Sequence, residues 1–361
     1  MKYDVVCYFE EIRKEHLHKY INFNNELNKY VNSALMLKHG AGGGPFGVSA
    51  KYFNLFKNDN AHVYLVSDSQ VAKVLNESKP KVVVFDCGKM CNVRLLQMAK
   101  SLGATTMQIS KMFGDFYHNG SDISSFVSPY MLECQKRNPT PPPNNVVFSN
   151  CLFYDPIGYC AAEQMSKEQF CSKYNLDISK DIFVYFPTAI QVLKEDPGAQ
   201  EVYKKVTEID NLIVKLHPNE YARYKADRVH NKWSYDLYSS KNITVLEQQD
   251  THWCYKYSSC GIGYQTSMAI EYALYKNPFI YIETDEPIKI QGINADWYWQ
   301  GYTWVGSKCH AKDLNNFIKS KNYQLDDIQL ELKKHIEKFY VSDQPAYKIL
   351  TDQIKEIVNN G

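Results

Sequence analysis

Two cationic side chains close an apolar run near the middle of the sequence. The stretch LIVKLHPNEY carries Lys215 and His217 at the end of this run, and Pro218 then stops it, since proline cannot donate to a strand ladder. If the run is a strand of an open parallel sheet, its carboxyl end is where such sheets bind ligands. Lysine and histidine at that place predict a site for a negatively charged group.

Hydroxyl side chains open a helix further along the chain. The run SSCGIGY is followed by Gln265, Thr266 and Ser267, after which a helical pattern begins. A helix start presents backbone N–H groups without intrahelical acceptors and the positive end of the helix dipole, and the two hydroxyls add donors. Glu271 lies one turn into this helix, where its carboxylate can accept hydrogen bonds from ribose hydroxyls.

A third apolar run, FVYF, ends just before Thr188. Because parallel strands end at the same edge of a sheet, we expect Thr188, His217 and Thr266 to meet there. Together they predict a site that holds a nucleotide diphosphate without a metal ion. Simpler roles stay open for single residues: His217 can be a packing or capping side chain, and Thr266 and Ser267 can be ordinary helix caps.

The elements that must position these residues alternate along the chain as short apolar runs and amphipathic stretches, which is typical of a parallel sheet covered on both faces. The expected strands are residues 4–9, 33–38, 61–67, 81–86, 105–110, 145–150, 181–188, 211–218, 242–247 and 278–283. The expected helices are residues 92–103, 166–176, 199–209, 266–277, 325–340 and 345–360.

This order predicts an α/β chain with two Rossmann-like domains whose parallel sheets face each other across a cleft. The first domain is expected over residues 1–160 and the second over residues 161–342. A C-terminal helix within residues 343–361 is expected to pack back on the first domain.

The stretches VKLHPNE and SSCGIGYQTSMAIEYALYKNPFIYIE resemble the nucleotide-binding half of GT-B glycosyltransferases. They are most similar to the group that contains CDP-glycerol glycerophosphotransferases, capsule-type transferases and bacterial sialyltransferases. This resemblance spans residues 105–285 and implies that His217, Thr266 and Ser267 contact the donor phosphates and that Glu271 contacts the ribose. One departure concerns the acceptor side: that group has His-Gly where this chain has Ile109, Ser110 and Lys111.

A glycine-rich stretch follows the second expected strand. Gly42, Gly44 and Gly47 have the GxGxxG spacing of a dinucleotide-binding loop, and Asp68 ends the next apolar run, so binding of NAD(P) stays open. The resemblance to GT-B enzymes implies instead that Gly42 and Gly43 face the donor phosphates. A surface turn is the third interpretation of the same glycines.

The predicted donor-binding residues are Thr188, Lys215, His217, Pro218, Gln265, Thr266, Ser267 and Glu271, with Gly42 and Gly43 from the first domain. Transfer to an acceptor hydroxyl also needs a general base, which we expect in the first domain. The candidates are His39, Asp86, Asp115 and His118. Of these, Asp115 and His39 are the predicted catalytic residues.

Composition excludes several other classes. The 41 Lys and Arg residues balance 40 Asp and Glu residues, so no overall field favours a nucleic acid as partner. Ten scattered cysteines without a CxxC pair predict free thiols, and the sequence carries no signal-peptide pattern and no apolar run long enough to span a membrane; we therefore expect a cytoplasmic protein. The oligomeric state is not predicted by these features.

The sequence carries no DxD triplet, no Walker loop and no zinc-ligand spacing, so neither a metal ion nor another cofactor is expected. The leading hypothesis is a metal-independent GT-B glycosyltransferase that moves a sugar from a nucleotide-sugar donor to a glycan acceptor hydroxyl. A glycerophosphotransferase and a UDP-sugar 2-epimerase are alternatives on the same fold. An NAD(P)-dependent oxidoreductase and an inactive sugar-binding module are further alternatives.

Overall fold

The computed structural model of the chain describes residues 2–10, 17–38, 53, 62–87, 91–110, 120–136, 145–152, 165–187, 197–217, 221, 243–264, 266, 268–275, 277–285, 306–324, 341–342 and 344–360. The chain divides into two compact units. The first comprises Met1–Glu163 together with Glu337–Gly361, and the second comprises Gln164–Ile336.

The described part of the first unit contains a parallel sheet of seven strands, in the order β3-β2-β1-β4-β5-β6-β7. The strands are β1 (Val5–Phe9), β2 (Ser33–Lys38), β3 (Val63–Val66), β4 (Val82–Asp86), β5 (Thr105–Ile109), β6 (Ile123–Phe126) and β7 (Val146–Phe148). Every residue of the central strands β1 and β4 is buried, as their continuous apolar sequences VVCYF and VVVFD require. Among the described residues, four helices connect strands of this sheet: α1 (Leu17–Leu27), α2 (Asp68–Ser78), α3 (Val93–Ser101) and α4 (Pro129–Lys136).

The described part of the second unit contains a parallel sheet of six strands, in the order β10-β9-β8-β11-β12-β13. The strands are β8 (Phe183–Phe186), β9 (Leu212–Val214), β10 (Thr244–Val245), β11 (Cys260–Gly263), β12 (Phe279–Glu283) and β13 (Ser307–His310). The helices of this unit are α5 (Lys167–Lys173), α6 (Pro197–Val206), α7 (Thr251–Tyr257), α8 (Met268–Leu274) and α9 (Leu314–Lys319). One buried cluster joins α6 to the sheet through Val202 and Val206, which pack with Tyr185, Val214 and Ile262.

The C-terminal helix α10 (Ala346–Asn360) belongs to the first unit, where it packs against α1. Leu350, Ile354 and Val358 form its buried stripe at the four-residue spacing of one helix face. At its end, the Lys81 ammonium donates to the carbonyl of Val358 at 3.1 Å, and the Gln353 amide donates to the carbonyl of Phe148 at 2.9 Å. These two hydrogen bonds connect the helix to the residue before β4 and to the last residue of β7.

Both sheets have their first strand in the middle, with the chain moving to one edge before it crosses to the other side. The crossing creates a switch point between β1 and β4 in the first unit and between β8 and β11 in the second. The predicted architecture, an α/β chain with two Rossmann-like parallel sheets, is confirmed. Among the described helices, none combines the length and the apolar character that a membrane span requires. Eight of the cysteines within the described ranges are buried free thiols.

Candidate functional site

Thr266 lies against the strand that flanks the switch point of the second unit. Strand β11 ends at Gly263, which pairs with Phe186 at the end of β8. An ideal Cβ built on Gly263 would lie 2.8 Å from Cγ2 of Thr266 and 3.0 Å from the ring of Phe279, closer than such contacts occur in proteins. The glycine at residue 263 is therefore what allows Thr266 to pack directly over the strand end.

The hydroxyl of Thr266 caps the start of α8. Its Oγ1 accepts a hydrogen bond from the backbone N–H of Met268 at 3.3 Å, and its carbonyl accepts one from Ala269 at 3.4 Å. Because Oγ1 serves here as an acceptor, its hydrogen can still be donated, and no acceptor for it lies among the described residues. Thr266 thus combines a helix cap with a donor at the carboxyl edge of the sheet.

Lys215 and Glu271 approach one buried thiol from two different elements. Lys215 follows β9 and is 6% exposed, whereas Glu271 lies in α8 and is 4% exposed. Burial raises the pKa of the Cys254 thiol in α7; the Lys215 charge acts to lower it and the Glu271 charge acts to raise it. Lys215 at the end of β9 and Glu271 in the first turn of α8 therefore act on the pKa of the same thiol in opposite directions.

The carboxylate of Glu271 is held by an aromatic side chain. Burial raises the pKa of Tyr255 well above its ordinary value, and the neighbouring Glu271 charge and a hydrogen bond between the two side chains raise it further. The Tyr255 hydroxyl also lies 3.0 Å from Sδ of Met268, the first residue of α8. A buried carboxylate is stable only with such partners, so Tyr255 fixes the position of Glu271.

His217 is exposed beyond the end of β9. Its carbonyl accepts a hydrogen bond from the backbone N–H of Tyr221 at 2.9 Å, which marks the turn that follows the strand. The preceding carbonyl, that of Leu216, is bound by the side-chain amide of Gln248 at 2.9 Å. The backbone before His217 is therefore tied to the segment after β10, while the residue itself is accessible.

Of the predicted donor-binding residues, the structure describes Lys215, His217, Thr266 and Glu271, all at or beyond the carboxyl ends of β9 and β11. Lys215 and Glu271 are both buried, and both act on the pKa of the Cys254 thiol. The remaining predicted residues, Thr188, Pro218, Gln265, Ser267, Gly42, Gly43, His39 and Asp115, lie outside the described residues. The same holds for Gly44, Gly47 and His118.

The first unit has its own group of polar side chains at the carboxyl ends of its central strands, which we name the strand-end cluster: Tyr8, Glu10, Lys38, Asp68 and Asp86. The Lys38 ammonium lies 2.6 Å from Oε1 of Glu10 and 3.3 Å from the Asp68 carboxylate. The Tyr8 hydroxyl donates to Oδ1 of Asp68 at 2.5 Å. The backbone N–H of Glu10 donates to Oδ2 of Asp86 at 3.2 Å, which joins β1 to β4 across the switch point.

Charge in the strand-end cluster is unevenly balanced, with three carboxyl groups around one ammonium group. Burial raises the pKa of Glu10 above its ordinary value, Lys38 acts to lower it, and Asp86 and Asp68 raise it further. Asp68 also accepts a hydrogen bond from the side chain of Asn92 at 3.0 Å. Within the described ranges, no group of three or more His, Cys, Asp or Glu side chains is arranged to hold a metal ion.

Sequence reasoning passed over Glu10 and Lys38, although the rule that selected Lys215 applies to them equally. Glu10 follows the apolar run VVCYF directly, and Lys38 ends the run SALMLK. Strand ends in the first domain, read in the same way as those of the second, would have indicated both residues.

Neither a protein-family model nor a curated protein matches this sequence. Solved structures do match in fold. UDP-GlcNAc 2-epimerase from Neisseria meningitidis, bound to UDP-GlcNAc, superposes with a TM-score of 0.61 and 12% identity, covering 100% of both chains. A variant of the wall teichoic acid polymerase TagF gives a TM-score of 0.61 and 14% identity, covering 99% of this chain and 89% of its own.

MurG from Acinetobacter baumannii is also similar, with a TM-score of 0.51 and 11% identity, covering 98% of this chain and 99% of its own. At such identities the likeness concerns the fold. The chain has a GT-B-like α/β fold over essentially its whole length.

Proposed function

We propose that this protein is a nucleotide-sugar-dependent glycosyltransferase of the GT-B type, which moves a sugar to a hydroxyl of a glycan acceptor without a metal ion. The observation that carries the proposal is that Lys215, His217 and Thr266 lie at or beyond the carboxyl ends of β9 and β11 in the second sheet. The end of β9 and the first turn of α8 are the two places from which a donor phosphate and its ribose would be bound. Similarity in fold to enzymes that bind nucleotide sugars supports the same class.

The predicted site residues that the structure describes in the second unit would take part in donor binding as follows. His217, exposed beyond β9, would meet the donor phosphates, and the Thr266 hydroxyl would donate to a phosphate oxygen. Negative charge grows on the leaving nucleotide as the bond to the sugar breaks, so donors placed there accelerate the reaction. Lys215 and Glu271 are buried, and Glu271 would turn one carboxylate oxygen toward the ribose while Tyr255 holds the group.

The first unit would bind the acceptor and supply the base. The sequence predicts Asp115 and His39 as candidates for this base, and both lie outside the described residues. Gly42 and Gly43, Thr188, Pro218, Gln265 and Ser267 likewise remain proposed donor contacts.

A UDP-sugar 2-epimerase is the second candidate, because UDP-GlcNAc 2-epimerases are among the structures that share the fold over the full chain. A glycerophosphotransferase is the third, since a wall teichoic acid polymerase shares the fold as well. These enzymes would use the same phosphate-binding edge with different chemistry at the sugar or glycerol.

One set of incubations separates the candidates. The protein would be mixed with UDP-, GDP- and CMP-sugars and with CDP-glycerol, with and without a glycan acceptor, and nucleotide release and proton NMR of the sugar would be followed. Nucleotide release that depends on the acceptor supports a transferase. Isomerised sugar on an intact nucleotide identifies an epimerase, and binding without turnover leaves a sugar-binding module. Thermal stabilisation by NAD but by none of the sugar nucleotides would favour an oxidoreductase.

His217→Ala is the sharpest variant for the phosphate site. We expect a loss of about 100-fold in kcat/KM with an unchanged free energy of unfolding, because an exposed side chain contributes little to stability. His310→Ala is the matched control: His310 ends the edge strand β13 of the same sheet and lies 3.1 Å from Asp285. Equal activity of both variants would contradict the role of His217.

A further inference from the structure

One oxygen of Glu10 has no hydrogen-bond partner although it is buried. Oε1 receives the Lys38 ammonium at 2.6 Å, whereas Oε2 is shielded from solvent and meets no donor within the described part of the chain. The whole side chain is 5% exposed. A buried polar oxygen left without a donor is destabilising, and more so when it carries charge. Such an atom at a ligand-binding edge indicates that a ligand supplies the missing donor.

The place of Glu10 in the fold agrees with that reading. It follows β1 directly, and its backbone N–H donates to Asp86 at the end of β4, so it stands at the switch point of the first sheet. Open sheets of this topology bind ligands in the crevice beyond the strand ends at that point. Oε2 of Glu10 therefore lies at the edge of the first sheet where a sheet of this topology binds a ligand.

We propose that Glu10 is the residue that takes the proton of the acceptor hydroxyl, through Oε2. This inference rests on the proposed glycosyl transfer and assigns its base. The acceptor O–H donates to Oε2, and its oxygen forms the new bond to the anomeric carbon of the donor sugar. The bond between that carbon and the phosphate oxygen breaks, and the nucleotide leaves with the electron pair. The proton ends on Glu10, so atoms and charges balance.

The surroundings of Glu10 suit a base better than a metal ligand. Burial and the charges of Asp86 on β4 and Asp68 on α2 raise its pKa, which strengthens it as a proton acceptor, while Lys38 on β2 keeps the ionised form populated. Tyr8, on β1 itself, is committed to Asp68. Within the described ranges the carboxylates form no group arranged for a metal ion, and the hydroxyl of an acceptor would supply the donor that Oε2 lacks.

The first test compares Glu10→Gln with the wild type and with a control. Glutamine keeps the shape but cannot accept the proton, so we expect kcat to fall about 100-fold or more while stabilisation by the donor nucleotide is retained. Glu10→Asp should recover part of the activity. Glu77→Gln, an exposed carboxylate on α2, is the control and should transfer normally. Transfer by Glu10→Gln within threefold of the wild type would overturn the assignment.

The second test does not depend on replacing Glu10. Lys38→Gln removes the charge that lowers the Glu10 pKa, so the acidic limb of kcat/KM should move to higher pH. If the Lys38→Gln protein is active and the acidic limb of its kcat/KM profile lies at the same pH as in the wild type, the assignment of Glu10 is wrong. If the wild type itself transfers no sugar from any donor, the proposed function has failed, and the assignment of Glu10 falls with it.

Discussion

The methyl group of Thr266 occupies the space that a side chain at Gly263 would fill, with 2.8 Å between Cγ2 and the position of a Cβ at residue 263. The glycine at the end of β11 is thus a packing requirement of the residue that caps α8. In the same strand, a Cβ at Gly261 would also meet the ring of Phe279, at 2.6 Å, but its other neighbour is the ring of Tyr272 at 2.9 Å and not Thr266. Substituting each glycine in turn therefore distinguishes a change at Thr266 in the candidate site from a change in the packing of the core.

Gly263→Ala should weaken nucleotide binding as well as stability. The added methyl must displace Thr266 or Phe279, and such overpacking costs about 1–3 kcal/mol of the free energy of unfolding. Because Thr266 moves, thermal stabilisation by the donor nucleotide should fall. Gly261→Ala should lose comparable stability in urea unfolding but respond to nucleotide like the wild type. An equal nucleotide response in both variants would show that the position of Thr266 does not matter for binding.

Lys215 and Glu271 should be energetically coupled. Both are buried with opposite charge near Cys254, and removal of one member of such a pair leaves an uncompensated charge at a cost of about 3–5 kcal/mol. We expect Lys215→Met to lower the free energy of unfolding strongly. The double variant Lys215→Met/Glu271→Gln should be more stable than the sum of the two single effects implies, by about 1 kcal/mol or more.

Urea unfolding of the two single variants and the double variant gives this coupling energy directly. Glu208, an exposed carboxylate of the same unit, supplies the comparison: Glu208→Gln combined with Lys215→Met should be additive. Additivity in the Glu271 pair as well would mean that the two buried charges do not sense each other.

Asn150 should be a main attachment of the segment that leads into the C-terminal helix. It is fully buried with a φ of 60°, a left-handed conformation that asparagine tolerates better than most residues. Its Oδ1 accepts from the backbone N–H of Val341 at 2.7 Å, and its amide donates to the carbonyls of Ser342 and Gln344 at 2.7 and 2.9 Å. Asn150→Ala loses all three bonds and the conformational tolerance, so we expect a loss of about 2–4 kcal/mol and faster amide exchange in α10.

Asn150→Gly separates the two causes, because glycine adopts the same φ without strain but forms none of the side-chain bonds. It should recover only the conformational part of the loss. A glycine variant as stable as the wild type would show that the three hydrogen bonds contribute nothing net.

The strands of the two sheets could be predicted from the sequence wherever their buried side chains are apolar. The runs VVCYF and VVVFD indicated β1 and β4 because both of their faces are covered. Strand β6, with the sequence ISSF, gives no such signal, since Ser124 and Ser125 are buried through hydrogen bonds instead. The Ser125 hydroxyl donates to that of Ser149 at 2.7 Å, a partner 24 residues away that local sequence does not reveal.

The candidate site was predictable in position but not in environment. The rule that ligands bind beyond strand ends selects Lys215 and Thr266 from the sequence alone. It does not show that Lys215 is buried, because burial depends on tertiary packing. The pairing of Glu10 with Lys38 follows from the parallel register of β1 and β2, in which Phe9 lies beside Leu37, and so from tertiary structure.

Cys309 should make the protein less stable in alkali. Burial, with Asp313 and Glu283 nearby, raises the pKa of its thiol from an ordinary value of 9.0 to about 11. An acid whose folded pKa is raised costs nothing below its unfolded pKa; above it, the unfolded state gains stability by ionising while the folded thiol stays neutral. Stability should therefore fall by about 1.4 kcal/mol per pH unit from this group between the two pKa values. Cys309→Ala removes that dependence, so between pH 8 and pH 10 the variant should lose about 1 kcal/mol less than the wild type in urea unfolding. Other buried thiols, such as Cys254 and Cys260, are present in both proteins, so their contributions cancel in this difference. Parallel stability curves for the two proteins over this range would mean that the Cys309 thiol ionises as readily in the folded protein as in the unfolded chain.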